Sequence, residues 1–277
     1  MLCLDKGDEN MFANKKRPLI VAHRGSCGGN IPCNSIEAFK IALNQGADVI
    51  ELDVERSKDH VLFIQHPGME WVHLGINDSL KNYTSDEIKQ MVLLNQDHTK
   101  TEYHIPTLEE ALLFLKGKCV VNIDKFWENP KEITKLVDRL GMAKNVIIKT
   151  EAKEEYLADV EKYASHLPYM TIVREKDTLT DVVKQRNINY IGAEVLFTTE
   201  DAEVCQKEYV DKMHSQGLIV WANSIVYNYQ DVLAAGHNDD ISLIENPKKG
   251  WGWLADKGYD LIQTDFVLAC KSYLEKD

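Results

Sequence analysis

The sequence has no apolar run approaching the roughly 18 residues that a membrane-spanning helix needs. Its opening, MLCLDKGDENMFANKK, lacks the basic-then-apolar order of a secretory signal. The expectation is a cytoplasmic protein without stable membrane insertion. Cysteine is sparse and scattered: Cys3, Cys27, Cys33, Cys119, Cys205 and Cys270 form no CxxC pair, so neither a zinc site nor a disulfide framework is suggested, and reduced, inert thiols, Cys33 included, are the simplest reading. Positive charge is in deficit, with 44 acidic against 32 basic residues and a net charge of −12. That balance disfavours a nucleic-acid or anionic-membrane surface but leaves room for a local basic pocket around one phosphate.

What is present is a strand–helix cadence. Residues 1–16 are polar and read as a leader; residues 17–277 read as one domain. The apolar run Pro18 to Ala22 predicts strand one, and Val49 to Glu55 predicts strand two. Between them Ile36, Phe39 and Leu43 fall at helical spacing over about 35–45, with Asn34 and Glu37 as a capping-box-like start and Gly46 as the stop. Val61 to Gln65 extends to His66. The loosely patterned segment of about 67–105, with a weak helix near Ser85 to Leu93, reads as an insertion over one end of the sheet. The cadence then resumes: Cys119 to Asp124, VIIKT, YMTIVR, NYIGAEV, LIVWAN and YDLIQTD read as strands, each followed by a helical stretch. Eight strands predict an α/β fold, a (β/α)8 barrel with a small insertion after strand two, whose chemistry sits at the carboxyl ends of the strands.

The stretch from Val21 to His66 concentrates reactive residues. In VIELDVE, Ile50, Leu52 and Val54 occupy one parity and Glu51, Asp53 and Glu55 the other, so one face of the strand is oily and the other anionic. Carboxylates facing the inside of a parallel sheet repel and are costly to desolvate unless cations neutralise them. Carboxylate oxygens suit Mg²⁺ or Ca²⁺; the alternative is a pair of solvated or lysine-paired carboxylates. The other strand ends carry His23 and Arg24, Asp124 and Lys125, Lys149, Glu194, Trp221 and Asn223, and Asp265. Two histidines converging with an arginine and an acidic pair point to catalysis of phosphoryl transfer.

AHRG, N-S-x-x-AF, G-A-D-x-I-E-x-D-V with the following S-K-D and histidine, I-P-T-L-E-E-A-L, W-x-N and Y-D-L-I-Q-T-D together resemble the glycerophosphodiester phosphodiesterase family, from Val21 to about Val267. The resemblance implies a TIM barrel and metal-dependent cleavage of a small-molecule glycerophosphodiester into sn-glycerol 3-phosphate and an alcohol. It implies that His23 and His66 are the acid/base pair, that Glu51, Asp53 and Asp124 hold one divalent cation, Mg²⁺ or Ca²⁺, and that Arg24 binds phosphate, with Trp221 and Asn223 lining the pocket. The runner-up readings are a related lyase on lysophospholipid or inositol phosphodiesters and a catalytically weak phosphoester-binding protein.

Three positions depart from the family pattern. Pro32, Cys33, Asn34 and Ser35 stand where the family reads P-E-N-T, Asp124 is followed directly by Lys125 rather than by a lysine two positions on, and Pro67 replaces an aspartate after His66. Strand parity aims Lys125 away from Asp124 unless the strand has ended, so Lys149 is an alternative cation for the phosphate. Glu194 joins either a metal or a lysine. Trp251 and Trp253 read as core, His73, His98 and His104 as solvent-facing, and the NDDISLIENPKK excursion as a solvated loop.

Overall fold

A computed structural model describes residues 17–151, 153–226 and 230–275; the leader read at 1–16 lies outside the described residues. Eight parallel strands close into a barrel: β1 Leu19–His23, β2 Val49–Arg56, β3 Val120–Asp124, β4 Val146–Glu151, β5 Tyr169–Arg174, β6 Tyr190–Leu196, β7 Ile219–Asn223 and β8 Leu261–Thr264. Each strand pairs with the next, and closure comes from β1, whose Leu19 meets Leu261 of β8 while its Val21 meets Val49 of β2. The outer ring is formed by α1 Ile36–Gln45, α2 Leu108–Leu115, α3 Pro130–Arg139, α4 Glu154–Tyr163, α5 Thr180–Val183, α6 Lys207–Ser215, α7 Trp251–Lys257 and α8 Val267–Leu274. No described helix is long and apolar enough to cross a membrane.

Strand parity separates two cores. Outward-facing Ile20, Ile50, Leu52, Val121 and Ile148 pack against the helices, while Val21, Val49, Ile147, Met170, Trp221 and Leu261 fill the barrel interior. On each of β1, β2 and β4, the residue two positions beyond the interior apolar one is polar: His23 after Val21, Glu51 after Val49, Lys149 after Ile147. The same period that fills the lower barrel with hydrocarbon therefore lines its upper mouth with charge.

Three local expectations change. The N-cap of α1 is Ser35, whose hydroxyl accepts from the Ala38 amide, and not Asn34, which adopts φ 55° and turns its side chain to Asp53. In the segment after β2, a short strand Leu62–Ile64 pairs antiparallel with β2, and a ribbon joins Val92–Leu94 to Lys100–His104, so the helix near residue 85 stops at Ile88. The NDDISLIENPKK excursion contains a helix, Asp239–Ile244, capped by Asn238. Its first residue is buried because the Asp239 carboxylate accepts from Ser224 Oγ (2.6 Å), Trp251 Nε1 (2.6 Å), Thr264 Oγ1 (2.8 Å) and the Asp265 amide (2.8 Å). Four donors replace the water that a solvated loop would keep.

Candidate active site

The HRG turn builds one wall of the mouth. After β1, Arg24 (φ 57°) and Gly25 (φ 82°) both take positive φ. A Cβ at Gly25 would lie 2.7 Å from the Ala38 backbone carbon, so only glycine lets α1 approach this closely. The turn hangs on β2, because the Arg24 amide donates to both the Glu51 carbonyl and Glu51 Oε2, at 3.1 Å each. The Arg24 side chain reaches Asp53, with Nε 2.9 Å from Oδ2. Asn34 Nδ2 donates to the same oxygen at 2.9 Å. Asp53 thus has a guanidinium and a neutral amide as neighbours, and Cys33 adds no negative charge beside them.

Glu51, Asp53 and Asp124 each direct a carboxylate oxygen to one place, all within 4.8 Å of one another. Burial and the charge of Asp53 push Glu51 up to about 7. Buried oxygens Oδ1 of Asp53 and Oδ1 of Asp124 have no hydrogen-bond partner. Three converging hard oxygen donors, two with an unsatisfied buried atom, fit a divalent cation of the oxygen-preferring kind.

Asp124 is the last residue of β3, and Lys125 leaves it with φ 57°. The strand has ended, so parity no longer applies and Lys125 Nζ folds back to 2.8 Å from Asp124 Oδ2. Lys149, whose charge also acts on Asp124 and Glu51, is held by another carboxylate. Its Nζ lies 2.6 Å from Glu194 Oε2 and 4.3 Å from the centre of the Trp221 ring, fully enclosed. Glu194 accepts from Asn223 Nδ2 at 2.6 Å, and Asn223 Oδ1 accepts from Trp221 Nε1 at 3.2 Å. Glu194 therefore meets a lysine, while Trp221 is an interior side chain of the barrel under a polar chain of Asn223, Glu194 and Lys149.

The two histidines stand apart in environment. His23 Nδ1 is 2.9 Å from Asp265 Oδ1; a carboxylate only accepts, so Nδ1 carries the hydrogen and Nε2 is left for proton exchange. Burial works against the imidazolium, yet the Asp265 hydrogen bond and the charges of Asp265 and Glu51 hold the His23 pKa above its usual value. His66 Nδ1 donates to the Pro67 carbonyl at 2.8 Å, which again leaves Nε2 bare. The orienting acceptor is thus the backbone of the very residue that stands in place of an aspartate. Burial, with Arg24 and Lys125 adding to it against Asp53, holds the His66 pKa below its usual value.

Sequence reasoning listed Asp265 only as a strand end and missed Asp239 behind it; Y-D-L-I-Q-T-D carries the first, but nothing local marks the second. It also misplaced His73, which is buried rather than solvent-facing because Nδ1 donates to Gln65 Oε1 (3.0 Å) and Nε2 meets Cys33 Sγ (3.3 Å). His98 and His104 are exposed, and Trp251 is core.

A model of the glycerophosphoryl diester phosphodiesterase family matches residues 23–268. The chain belongs to this family. A glycerophosphodiester phosphodiesterase of Caldanaerobacter subterraneus subsp. tengcongensis is 33% identical over 161 residues, 54% of this chain and 65% of that relative. The Bacillus subtilis protein YqiK, of uncharacterised function, is 26% identical over 93% of this chain and 99% of its own length. Among solved structures, a glycerophosphoryl diester phosphodiesterase of Parabacteroides distasonis shares the fold with TM-score 0.78 and 22% identity, covering 96% of this chain and 90% of that one. An Oleispira antarctica phosphodiesterase solved with the product sn-glycerol-3-phosphate has TM-score 0.66 at 15% identity, covering 94% of this chain and 98% of that one. At these identities the structural likenesses concern the barrel.

Proposed function

We propose that this protein hydrolyses glycerophosphodiesters to sn-glycerol 3-phosphate and an alcohol, with His23 and His66 as the acid/base pair and Glu51, Asp53 and Asp124 as holders of one divalent cation, Mg²⁺ or Ca²⁺. The observation that carries the reading is the pair of imidazoles, each locked at Nδ1 with Nε2 bare, set on a three-carboxylate cluster. A binding protein needs no such acid and base. Family membership, the named phosphodiesterase relatives and the product-bound neighbour support the substrate class.

A phosphodiester is anionic and repels an incoming oxygen nucleophile, so the site must supply positive charge before attack is feasible. A cation at the three carboxylates would act as a Lewis acid on the phosphoryl oxygens. Arg24 and Lys125, pinned beside Asp53 and Asp124, add charge at its rim. His66, backed only by a neutral carbonyl, stays uncharged and accepts at Nε2 a proton of the attacking water, whose oxygen forms the new bond to phosphorus as the bond to the alkoxide breaks. His23, backed by the Asp265 carboxylate, holds its proton and delivers it from Nε2 to the leaving alkoxide. Lys149, Glu194, Trp221 and Asn223 form a buried polar floor, with Lys149 and Asn223 as the residues that would meet glycerol or phosphate.

The test is release of glycerol 3-phosphate from a panel of glycerophosphodiesters with Mg²⁺, Ca²⁺ or chelator, for the wild type, His23→Ala and His66→Ala. Turnover that requires both a cation and both histidines is expected. Turnover that persists in either histidine variant would remove the acid/base assignment, and cyclic phosphate released from lysophospholipids alone would replace hydrolysis with lyase chemistry.

A further inference from the structure

His66 donates from Nδ1 to the Pro67 carbonyl at 2.8 Å, so its bare Nε2 points wherever the backbone of these two residues holds it. Proline has no amide hydrogen, which makes the His66 carbonyl the one polar atom of the His66–Pro67 peptide that can be gripped. Two donors grip it: the Met69 amide at 3.1 Å and Gln65 Nε2 at 3.2 Å. The first belongs to the same turn. The second leads away from it into the segment inserted after β2.

The polarity of that second link is fixed along its length. A carbonyl only accepts, so Gln65 presents Nε2 to it and turns Oε1 to His73, 3.0 Å from Nδ1. An amide oxygen also only accepts, so His73 Nδ1 carries the hydrogen and Nε2 is a bare acceptor. Cys33 Sγ lies 3.3 Å from that nitrogen and supplies its S–H. Burial, joined by Arg24, holds the His73 pKa down to about 4, which keeps the ring neutral with one hydrogen to place. Gln65 and His73 are both buried, and His73 stands on the short helix Glu70–Leu74, outside the barrel strands.

We infer that His73 is a positioning residue for His66: through Gln65 it locks the His66–Pro67 peptide, and Cys33 sets the tautomer that makes the lock possible. The relay ties together two positions at which this chain departs from the family pattern, Cys33 and Pro67. A carboxylate at position 33 would be a second acceptor facing a bare ring nitrogen, whereas a thiol offers the hydrogen that nitrogen lacks. Without the His73 hydrogen bond Gln65 is free to turn, and His66 Nε2 loses its fixed aim. Misplacement of a reacting group by about 1 Å costs on the order of 10²-fold in rate. The loss should fall on kcat, because neither Gln65 nor His73 is among the residues proposed to hold cation or phosphate.

The test has two readouts on the full chain. In the first, nitrogen-15-labelled protein gives the imidazole tautomers by long-range nitrogen–proton correlation at neutral pH, with His66 and His73 assigned by the signals lost in His66→Ala and His73→Leu. Both rings should carry their hydrogen on Nδ1. In His73→Leu the His66 signals should move towards a mixture of tautomers, and His73→Asn, whose amide nitrogen can donate in place of Nδ1, should restore the single form. A His73 hydrogen on Nε2, or a His66 tautomer unchanged in His73→Leu, overturns the assignment. The second readout, turnover of a soluble glycerophosphodiester with Mg²⁺ or Ca²⁺, rests on the proposed function. There kcat should fall about tenfold or more in His73→Leu and in Gln65→Met, with KM within about twofold of wild type, and the double variant should lose no more than either single one. Equal losses in His73→Asn and His73→Leu, or losses that multiply in the double variant, overturn the relay. Cys33→Ser keeps a donor and should hold most of the activity, whereas Cys33→Glu should fall with His73→Leu; full activity of Cys33→Glu overturns the part given to Cys33. A wild type inactive on every glycerophosphodiester fails the phosphodiesterase reading and leaves the tautomers to decide the positioning.

Discussion

Asp265→Asn isolates the contribution of charge behind His23. The backbone at this position is held by Asp239, which accepts the Asp265 amide at 2.8 Å, so the substitution leaves the chain in place and removes only the carboxylate behind the 2.9 Å bond to Nδ1. A hydrogen bond to a charged partner contributes about 1.5–3 kcal/mol. The Asp265 side chain is 40% exposed, and solvent screening brings the effective figure down to roughly 1–2 kcal/mol. At about 1.4 kcal/mol per tenfold, kcat/KM should fall roughly 5- to 30-fold. The assay is steady-state release of glycerol 3-phosphate at saturating cation, with the melting temperature as control for folding. Asparagine can still accept from Nδ1–H through its carbonyl oxygen, so Asp265→Ala should lose more than Asp265→Asn. Activity of Asp265→Asn within twofold of wild type, or equal losses in the two variants, would refute the role given to this pair.

Asp124→Asn removes one of the three convergent carboxylates while keeping its shape. Cation affinity measured by calorimetry should drop by on the order of 10²-fold, at least as much as loss of an outer-shell partner, and activity should recover only at high Mg²⁺ or Ca²⁺; unchanged affinity would place the cation elsewhere. Lys149→Met strands the buried Glu194 carboxylate. Breaking a buried pair from one side costs about 3–5 kcal/mol, a fall in melting temperature of roughly 6–20 °C at about 2–4 °C per kcal/mol. Lys149→Met combined with Glu194→Leu should regain part of that loss, and a double variant no more stable than the single one would contradict the pairing. Asp59 accepts from Ser85 Oγ, the Ser85 amide and Ser57 Oγ, and these bonds hold its pKa at about 2 against an ordinary 3.8. A carboxylate with a depressed folded pKa stabilises above its unfolded value and loses that contribution as pH falls through the folded one. The wild type should therefore melt above Asp59→Asn at neutral pH, and the gap should close as pH drops from about 4 to about 2; a constant gap would show that the acidic proton is irrelevant to it.

The barrel and the anionic face of β2 were legible in sequence because both rest on short-range periodicity: alternation by two along a strand, helical spacing between strands, and repetition of the pair eight times. Glu51 and Asp53 must share a face once β2 is a strand, and the HRG turn must follow β1. The same local rules failed where a neighbour from distant sequence decided the outcome. Asn34 looked like a helix cap, yet Asp53, across the turn, offered its amide a stronger acceptor and the cap passed to Ser35. Lys125 looked wrongly phased until β3 was seen to end at Asp124. Asp239 sat in a polar run that resembles solvated loop, and its burial required donors from Ser224, Trp251, Thr264 and Asp265 to converge on it. His73 was one more polar residue in an insertion until Gln65 and Cys33 enclosed it. Sequence alone determined which barrel strands exist and which of their residues face inward, since backbone geometry sets those periods. Only the tertiary structure decided which charges meet and which histidine nitrogen is free, because hydrogen bonds between residues far apart in the chain have no period to betray them.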